Sequence, residues 1–127
     1  MSDDQRTPVI LVVDDEPLVR STVCEQLQST GYSVHTAASG DEAYDMISEG
    51  VHFDVLLTDV RMPGTIDGFG LVRRVLALLP DARTIVMSGF VGDDHLETRA
   101  ADRFIGKPFT MARLQRELSE LLSPGMC

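Results

Sequence analysis

Two short apolar runs in this chain end abruptly on carboxylates, and they limit what it can fold into. Val9-Ile10-Leu11-Val12-Val13 stops at Asp14-Asp15, and Val55-Leu56-Leu57-Thr58 stops at Asp59. Apolar runs that are continuous rather than alternating belong to strands buried on both faces, the habit of parallel sheets. Parallel strands need a crossover between them, usually a helix. The segments between the runs have that character. Pro17 sits where a first helical turn tolerates proline, Val19, Val23 and Leu27 follow at helical spacing, and Gly31 ends the helix. Ser39-Gly40-Asp41-Glu42 has the Ser-x-x-Glu form of a capping box, with Ala43, Met46 and Ile47 on the inner face of the helix it opens. Asp67-Gly68 opens a third helix, with Phe69, Val72, Leu76 and Leu79 as its expected buried stripe and Pro80 as its stop.

The remaining strands are expected at Tyr32 to Ala37, Phe53 to Asp59, Thr84 to Met87 and Arg103 to Gly106. A short, weakly amphipathic helix is expected from Asp94 to about Ala101. Thr110 caps a last helix with the stripe Met111, Leu114, Leu118 and Leu121, ended by Ser123-Pro124-Gly125. Five alternations of strand and helix predict an α/β fold: a doubly wound, five-stranded parallel sheet with helices on both faces and a shortened fourth helix. The 127 residues are expected to form one domain, with its core from about residue 9 to residue 122. Ligands of such sheets bind outside the C-terminal strand ends. There the sequence places Asp14, Asp15, Asp59, Ser88 and Lys107.

Composition narrows the function classes. A net charge of −9 argues against direct binding to nucleic acid or an anionic membrane, both of which need a basic surface. No apolar run approaches a membrane span and the N-terminus lacks a signal-peptide pattern, which predicts a cytoplasmic protein. Cys24 and Cys127 fit no metal-ligand spacing. His35, His52 and His95 are scattered, none in a phosphodonor context.

Asp14 or Asp15 alone reads equally well as a helix N-cap, and Asp59 alone as a turn residue. Together they are harder to dismiss. Carboxylates ~4–5 Å apart repel by roughly 4 kcal/mol per pair at an effective dielectric near 20. A fold avoids that arrangement unless a cation relieves it or a pKa rises. An all-oxygen site with few carboxylates suits Mg²⁺, which keeps several waters and shares phosphate oxygens. Lys107 follows the last strand and could reach back over the crevice as a point charge for phosphate. It also precedes Pro108, which makes the bond a candidate cis peptide.

Asp14-Asp15-Glu16-Pro17, Leu57-Thr58-Asp59-Val60-Arg61-Met62-Pro63, Asp67-Gly68, Met87-Ser88-Gly89 and Phe104-Ile105-Gly106-Lys107-Pro108-Phe109 occur in one order over about residues 9–122. In these blocks the chain resembles the response-regulator receiver domains of two-component signalling. The resemblance implies a flavodoxin-like strand order of 2-1-3-4-5. It implies Asp59 as phosphoacceptor, with Asp14, Asp15, Asp59 and the backbone carbonyl of Arg61 as Mg²⁺ ligands. Ser88 becomes the switch hydroxyl, Lys107 the phosphate-facing lysine and Phe104 the aromatic switch position. On local evidence alone, Phe104 is plain core. The implied partners are a sensor histidine kinase or histidine phosphotransfer protein and a downstream protein target, with no direct nucleic acid or membrane contact. The implied activity is that of a signalling domain assisting its own phosphorylation and dephosphorylation, with no output domain, rather than of an enzyme.

Several departures from the family pattern stand out. The loop from Met62 to Gly68 is one residue longer than the common form, a variant often seen in receivers tied to hybrid kinases, and Ser88 to Lys107 is a few residues shorter. Gly89 replaces a frequent alanine, and Phe104 lacks a tyrosine's hydroxyl. Arg61 and Phe90 occupy the positions that in this family tune phosphoryl lifetime. Other readings stay open on the residues: a phosphorylation-independent interaction module on the same fold, an aspartate-nucleophile phosphatase, or a flavin-binding domain. The phosphatase wants Asp-x-Asp where this chain has adjacent Asp14-Asp15, and the flavin site wants a hydroxyl- and glycine-rich loop after Val13.

Overall fold

A computed structural model of the chain describes residues 7–89 and 101–122. Strands β1 (Val9–Val13), β2 (Ser33–Ala37), β3 (Val55–Asp59), β4 (Arg83–Ser88) and β5 (Arg103–Gly106) form one parallel sheet in the order β2-β1-β3-β4-β5. The helices among the described residues are α1 (Pro17–Ser29), α2 (Gly40–Ser48), α3 (Gly68–Leu78) and α4 (Met111–Leu122). The expected flavodoxin-like architecture is therefore present. The short helix expected to begin at Asp94 lies outside the described residues, as do Phe90, His95 and Cys127.

Side chains alternate along each strand, so the sheet buries two separate apolar layers. Leu11, Val13, Leu56 and Val86 face α2 and α3, meeting Ala43, Ile47, Phe69 and Val72. Ile10, Val12, Leu57, Ile85, Met87 and Ile105 face the other way, against Val23 and Leu27 of α1 and Leu114 and Leu118 of α4. Each fully buried aliphatic side chain stabilises the fold by roughly 1.5–3 kcal/mol, which is why continuous apolar strands accept only this two-sided cover.

The helix starts follow their sequence signals. Ser39 Oγ accepts from the Glu42 amide at 3.0 Å, and Glu42 returns a carboxylate to the Ala38 amide at 2.7 Å. Asp67 caps α3 through the Gly70 amide, and Thr110 caps α4 through the Arg113 amide. At the N-terminal edge of the sheet, Asp54 accepts from the Val9 amide at 2.8 Å and donates its own amide to the Val9 carbonyl.

The stripe expected on α3 needs correction. Phe69 and Val72 are buried as expected, but they are joined by Leu71 and Val75, while Leu76 is half-buried and Leu79 is 39% exposed. The helix ends at Leu78, and Leu79 is its C-cap with φ −133° and ψ 79°. A 3.6-residue period cannot be carried past the last helical residue.

Candidate functional site

The register brings the chemistry together. Val13 pairs with Thr58 across β1 and β3, so Asp14 and Asp59 leave the sheet side by side. Asp14, Asp59 and Lys107 each continue the alternating series that faces α1 and α4 (Val12, Leu57, Ile105). Their side chains accordingly meet. Lys107 Nζ lies 3.2 Å from Asp14 Oδ2 and 3.2 Å from Asp59 Oδ2. Oxygens of Asp14, Asp15 and Asp59 lie within 4.8 Å of one another. The Lys107–Pro108 bond is cis.

Each carboxylate is held by its own surroundings. Asp14 is fully buried, with Oδ1 accepting from the Glu16 amide at 3.0 Å. Asp14 is therefore not a helix N-cap: the N-cap of α1 is Glu16, without a side-chain cap, and Asp14 closes a turn before it while its second oxygen faces Lys107. Arg20 reaches back from α1 to the Asp14 carbonyl at 2.8 Å. Asp59 Oδ1 accepts from the Val60 amide at 2.8 Å, which leaves Oδ2 turned toward the crevice and Lys107.

Burial pushes the Asp59 carboxyl above its ordinary pKa. Lys107 opposes this, the charge of Asp14 adds to it, and the net shift is upward. Burial alone pulls Lys107 down, but Asp59 and Asp14 together outweigh it and hold the ammonium above its usual value. One ammonium facing three carboxylates leaves the crevice two charges negative when all are ionised. That imbalance, with hard oxygen donors, fits a divalent cation of the Mg²⁺ kind.

The other expected residues take distinct places. Ser88 is buried at the end of β4, and its carbonyl accepts from the Lys107 amide at 2.7 Å, tying the hydroxyl-bearing residue to the lysine. Phe104 is half-buried on β5, packed against the layer of α2 and α3, the side to which Ser88 also belongs by alternation. Arg61 is exposed at the start of the loop that leaves β3. His52 lies 3.5 Å from Asp54 and His35 is an exposed residue of β2, both on elements away from the acid crevice. Sequence reasoning missed Arg20 and the second role of Asp41, whose carboxylate holds Thr65 and Ile66. The latter contact spans 24–25 residues of chain and leaves no local signal.

A parallel sheet that gathers acids and a lysine at its C-terminal edge defines an α/β domain with a charged crevice there, and comparison with known proteins narrows the class. Residues 10–119 match the family profile of the response regulator receiver domain, and the chain belongs to that family, the receivers of two-component signalling. It is 38% identical over 117 residues to sensor kinase CckA of Brucella abortus, covering 89% of this chain and 12% of that kinase. It is 35% identical over 111 residues to the C4-dicarboxylate transport transcriptional regulatory protein DctD of Rhizobium meliloti, covering 84% and 24% respectively. The chain thus spans under a quarter of the length of these curated relatives. Among solved structures it is similar to response regulator TrrA of Thermotoga maritima in complex with Mg²⁺–BeF, with a TM-score of 0.83, 33% identity and coverage of 91% and 100%. Chemotaxis response regulator CheY4 of Vibrio cholerae gives a TM-score of 0.82 at 30% identity, covering 92% and 100%. Among the described residues no helix is long and apolar enough to cross a membrane.

Proposed function

We propose that Asp59 accepts a phosphoryl group from a phosphohistidine on a sensor histidine kinase or histidine phosphotransfer protein, and that the modified domain binds a downstream protein target. The observation that supports this most is the position of Lys107 Nζ, 3.2 Å from a carboxylate oxygen of both Asp14 and Asp59. Oδ1 of Asp59 is turned to the Val60 amide and Oδ2 to Lys107 in the crevice, so Oδ2 is assigned as the attacking atom. It forms the new P–O bond as the P–N bond to imidazole breaks; the bonding pair goes to the leaving nitrogen, which takes its proton from solvent. Asp14, Asp15, Asp59 and the Arg61 backbone carbonyl would hold Mg²⁺, which when bound would supply positive charge to the phosphoryl oxygens. Lys107, in contact with Asp14 and Asp59, supplies a second positive charge, and Asp14 keeps that ammonium in place. This is positioning and charge stabilisation, the main currency of phosphoryl transfer.

A groove of about 680 Å³ runs beside the crevice, lined by Leu18, Val19, Lys107, Pro108, Phe109 and Met111. Its apolar wall gives a partner a surface on which to present the donor imidazole. Incubation with acetyl phosphate and Mg²⁺ is expected to add one phosphoryl group, read by intact mass. Asp59→Asn should remain unlabelled. Equal labelling of that variant would reject Asp59 as the acceptor.

A further inference from the structure

We propose that Asp41 is a positioning residue for the phosphoryl-transfer site, bracing from α2 the loop that is anchored on Asp59; the functional part of this rests on the reading of Asp59 given above. Residues 60–67 join β3 to α3, and both ends of that loop meet at the acceptor. The Val60 amide donates to Asp59 Oδ1 at 2.8 Å, and the Gly68 amide donates back to the Val60 carbonyl at 2.8 Å. A Cβ on Gly68 would lie 2.1 Å from the Asp59 carbonyl oxygen and 2.8 Å from Val60 Cα. The first residue of α3 therefore rests on the main chain of Asp59 itself.

The middle of the loop is held from a different helix. Asp41, in the first turn of α2, accepts from the Thr65 amide at 3.2 Å, the Ile66 amide at 2.9 Å and the Thr65 hydroxyl at 3.1 Å. Ile66 is buried, and a Cβ on Gly40 would lie 2.3 Å from its carbonyl oxygen. Gly64, at φ +102°, turns the chain toward the carboxylate, and a Cβ there would lie 2.9 Å from Asp41 Oδ2. Arg61, whose carbonyl is assigned above to the metal, lies between these two anchors. The Thr65 amide is the main influence holding the Asp41 carboxyl below its ordinary pKa, so the charged form grips the loop. Without Asp41, Thr65 and Ile66 lose their hydrogen bonds to α2 and keep only the packing of Ile66 against it, so more of the load falls on the Val60 and Gly68 contacts that orient Asp59.

Asp41→Ala is expected to raise the half-saturating Mg²⁺ for acetyl phosphate labelling and slow labelling by about tenfold, against the roughly hundredfold that a 1 Å misplacement can cost. Asp41→Asn, which keeps one acceptor oxygen, should fall between it and wild type. Leu118→Val, in the opposite apolar layer, should lower Tm and leave the Mg²⁺ requirement unchanged. In metal-free protein, Asp41→Ala should speed hydrogen exchange at the Gly68 amide and shift the Val60 amide resonance. An Asp41→Ala protein with unchanged exchange and unchanged Mg²⁺ requirement overturns the proposal, as does a Leu118→Val protein that shows the same Mg²⁺ defect. If wild type takes up no phosphoryl group, the reading of Asp59 fails, while the exchange data still decide whether Asp41 holds the loop.

Discussion

Asp59 and Asp41 are displaced in opposite directions, and pH separates their contributions. The Asp59 pKa is raised by burial, so the folded protein binds that proton more tightly than the unfolded chain. Its stabilising contribution is complete below the ordinary carboxylate pKa and is lost as pH rises through the raised value. Asp41 is lowered, chiefly by the Thr65 amide, so its contribution is complete above the ordinary pKa and is lost as pH falls through the lowered value. In metal-free buffer, the Tm of Asp59→Asn relative to wild type should therefore rise with pH through the Asp59 titration. The deficit of Asp41→Asn should shrink on acidification. Far-UV circular dichroism is the suitable probe, since the chain has no tryptophan. Parallel curves for wild type and Asp59→Asn would show that the carboxyl titrates normally.

At the scale of elements, contact between backbones decides which substitutions the site tolerates. Gly68→Ala drives a methyl into the Asp59 main chain, and overpacking of that kind costs roughly 1–3 kcal/mol. Gly89, where an added Cβ meets nothing within 4 Å among the described residues, should accept alanine within about 0.5 kcal/mol. Urea midpoints measure both, and a Gly68→Ala protein as stable as Gly89→Ala would show that the close approach is relieved without cost. On α1, Leu18 is 78% exposed at the wall of the groove beside Lys107. Leu18→Arg should weaken phosphotransfer from a protein donor by roughly tenfold or more, the loss of a well-placed apolar contact at an interface. Labelling by acetyl phosphate, which needs no docking, should be unchanged; equal loss from both donors would place the defect in the crevice. Much of this architecture was legible because its signals are local: β1 and β5 fall at their expected bounds, and Ser39, Asp67 and Thr110 cap where their spacing says. The acids and Lys107 were legible because strand ends in a parallel sheet share one edge. What stayed hidden is what one loop does to a distant helix. Asp41 looked like a capping-box residue, and nothing near it in sequence reports a hydrogen bond to Ile66.

For the whole molecule, the question is whether one modified side chain can shift the domain. On the proposed function, a phosphoryl group on Asp59 would offer Ser88 and Lys107 a charge-assisted hydrogen bond each, roughly 1.5–3 kcal/mol apiece and so about 3–6 together. Moving a two-state population from mostly off to mostly on takes about 5.5 kcal/mol. The two contacts stand at that threshold. Lys107 is already engaged with Asp14 and Asp59 at 3.2 Å, so it would exchange partners rather than gain one, which lowers its net share below that range. On the proposed function, a pull on Ser88 would reach β5 through its carbonyl, which accepts from the Lys107 amide, and through its pairing with Gly106. With Mg²⁺ and beryllofluoride at saturation, wild type should therefore be incompletely switched, with the Gly106 and Lys107 amide resonances short of their end positions. Ser88→Ala should still bind the analogue but lower the ratio of switched to unswitched molecules by roughly ten- to a hundredfold, the loss of one such bond. Its Gly106 and Lys107 resonances should stop closer to the unmodified positions, on the same line that wild type follows. Saturated shifts identical to wild type would remove the Ser88 hydroxyl from the switch and leave Lys107 to carry it alone.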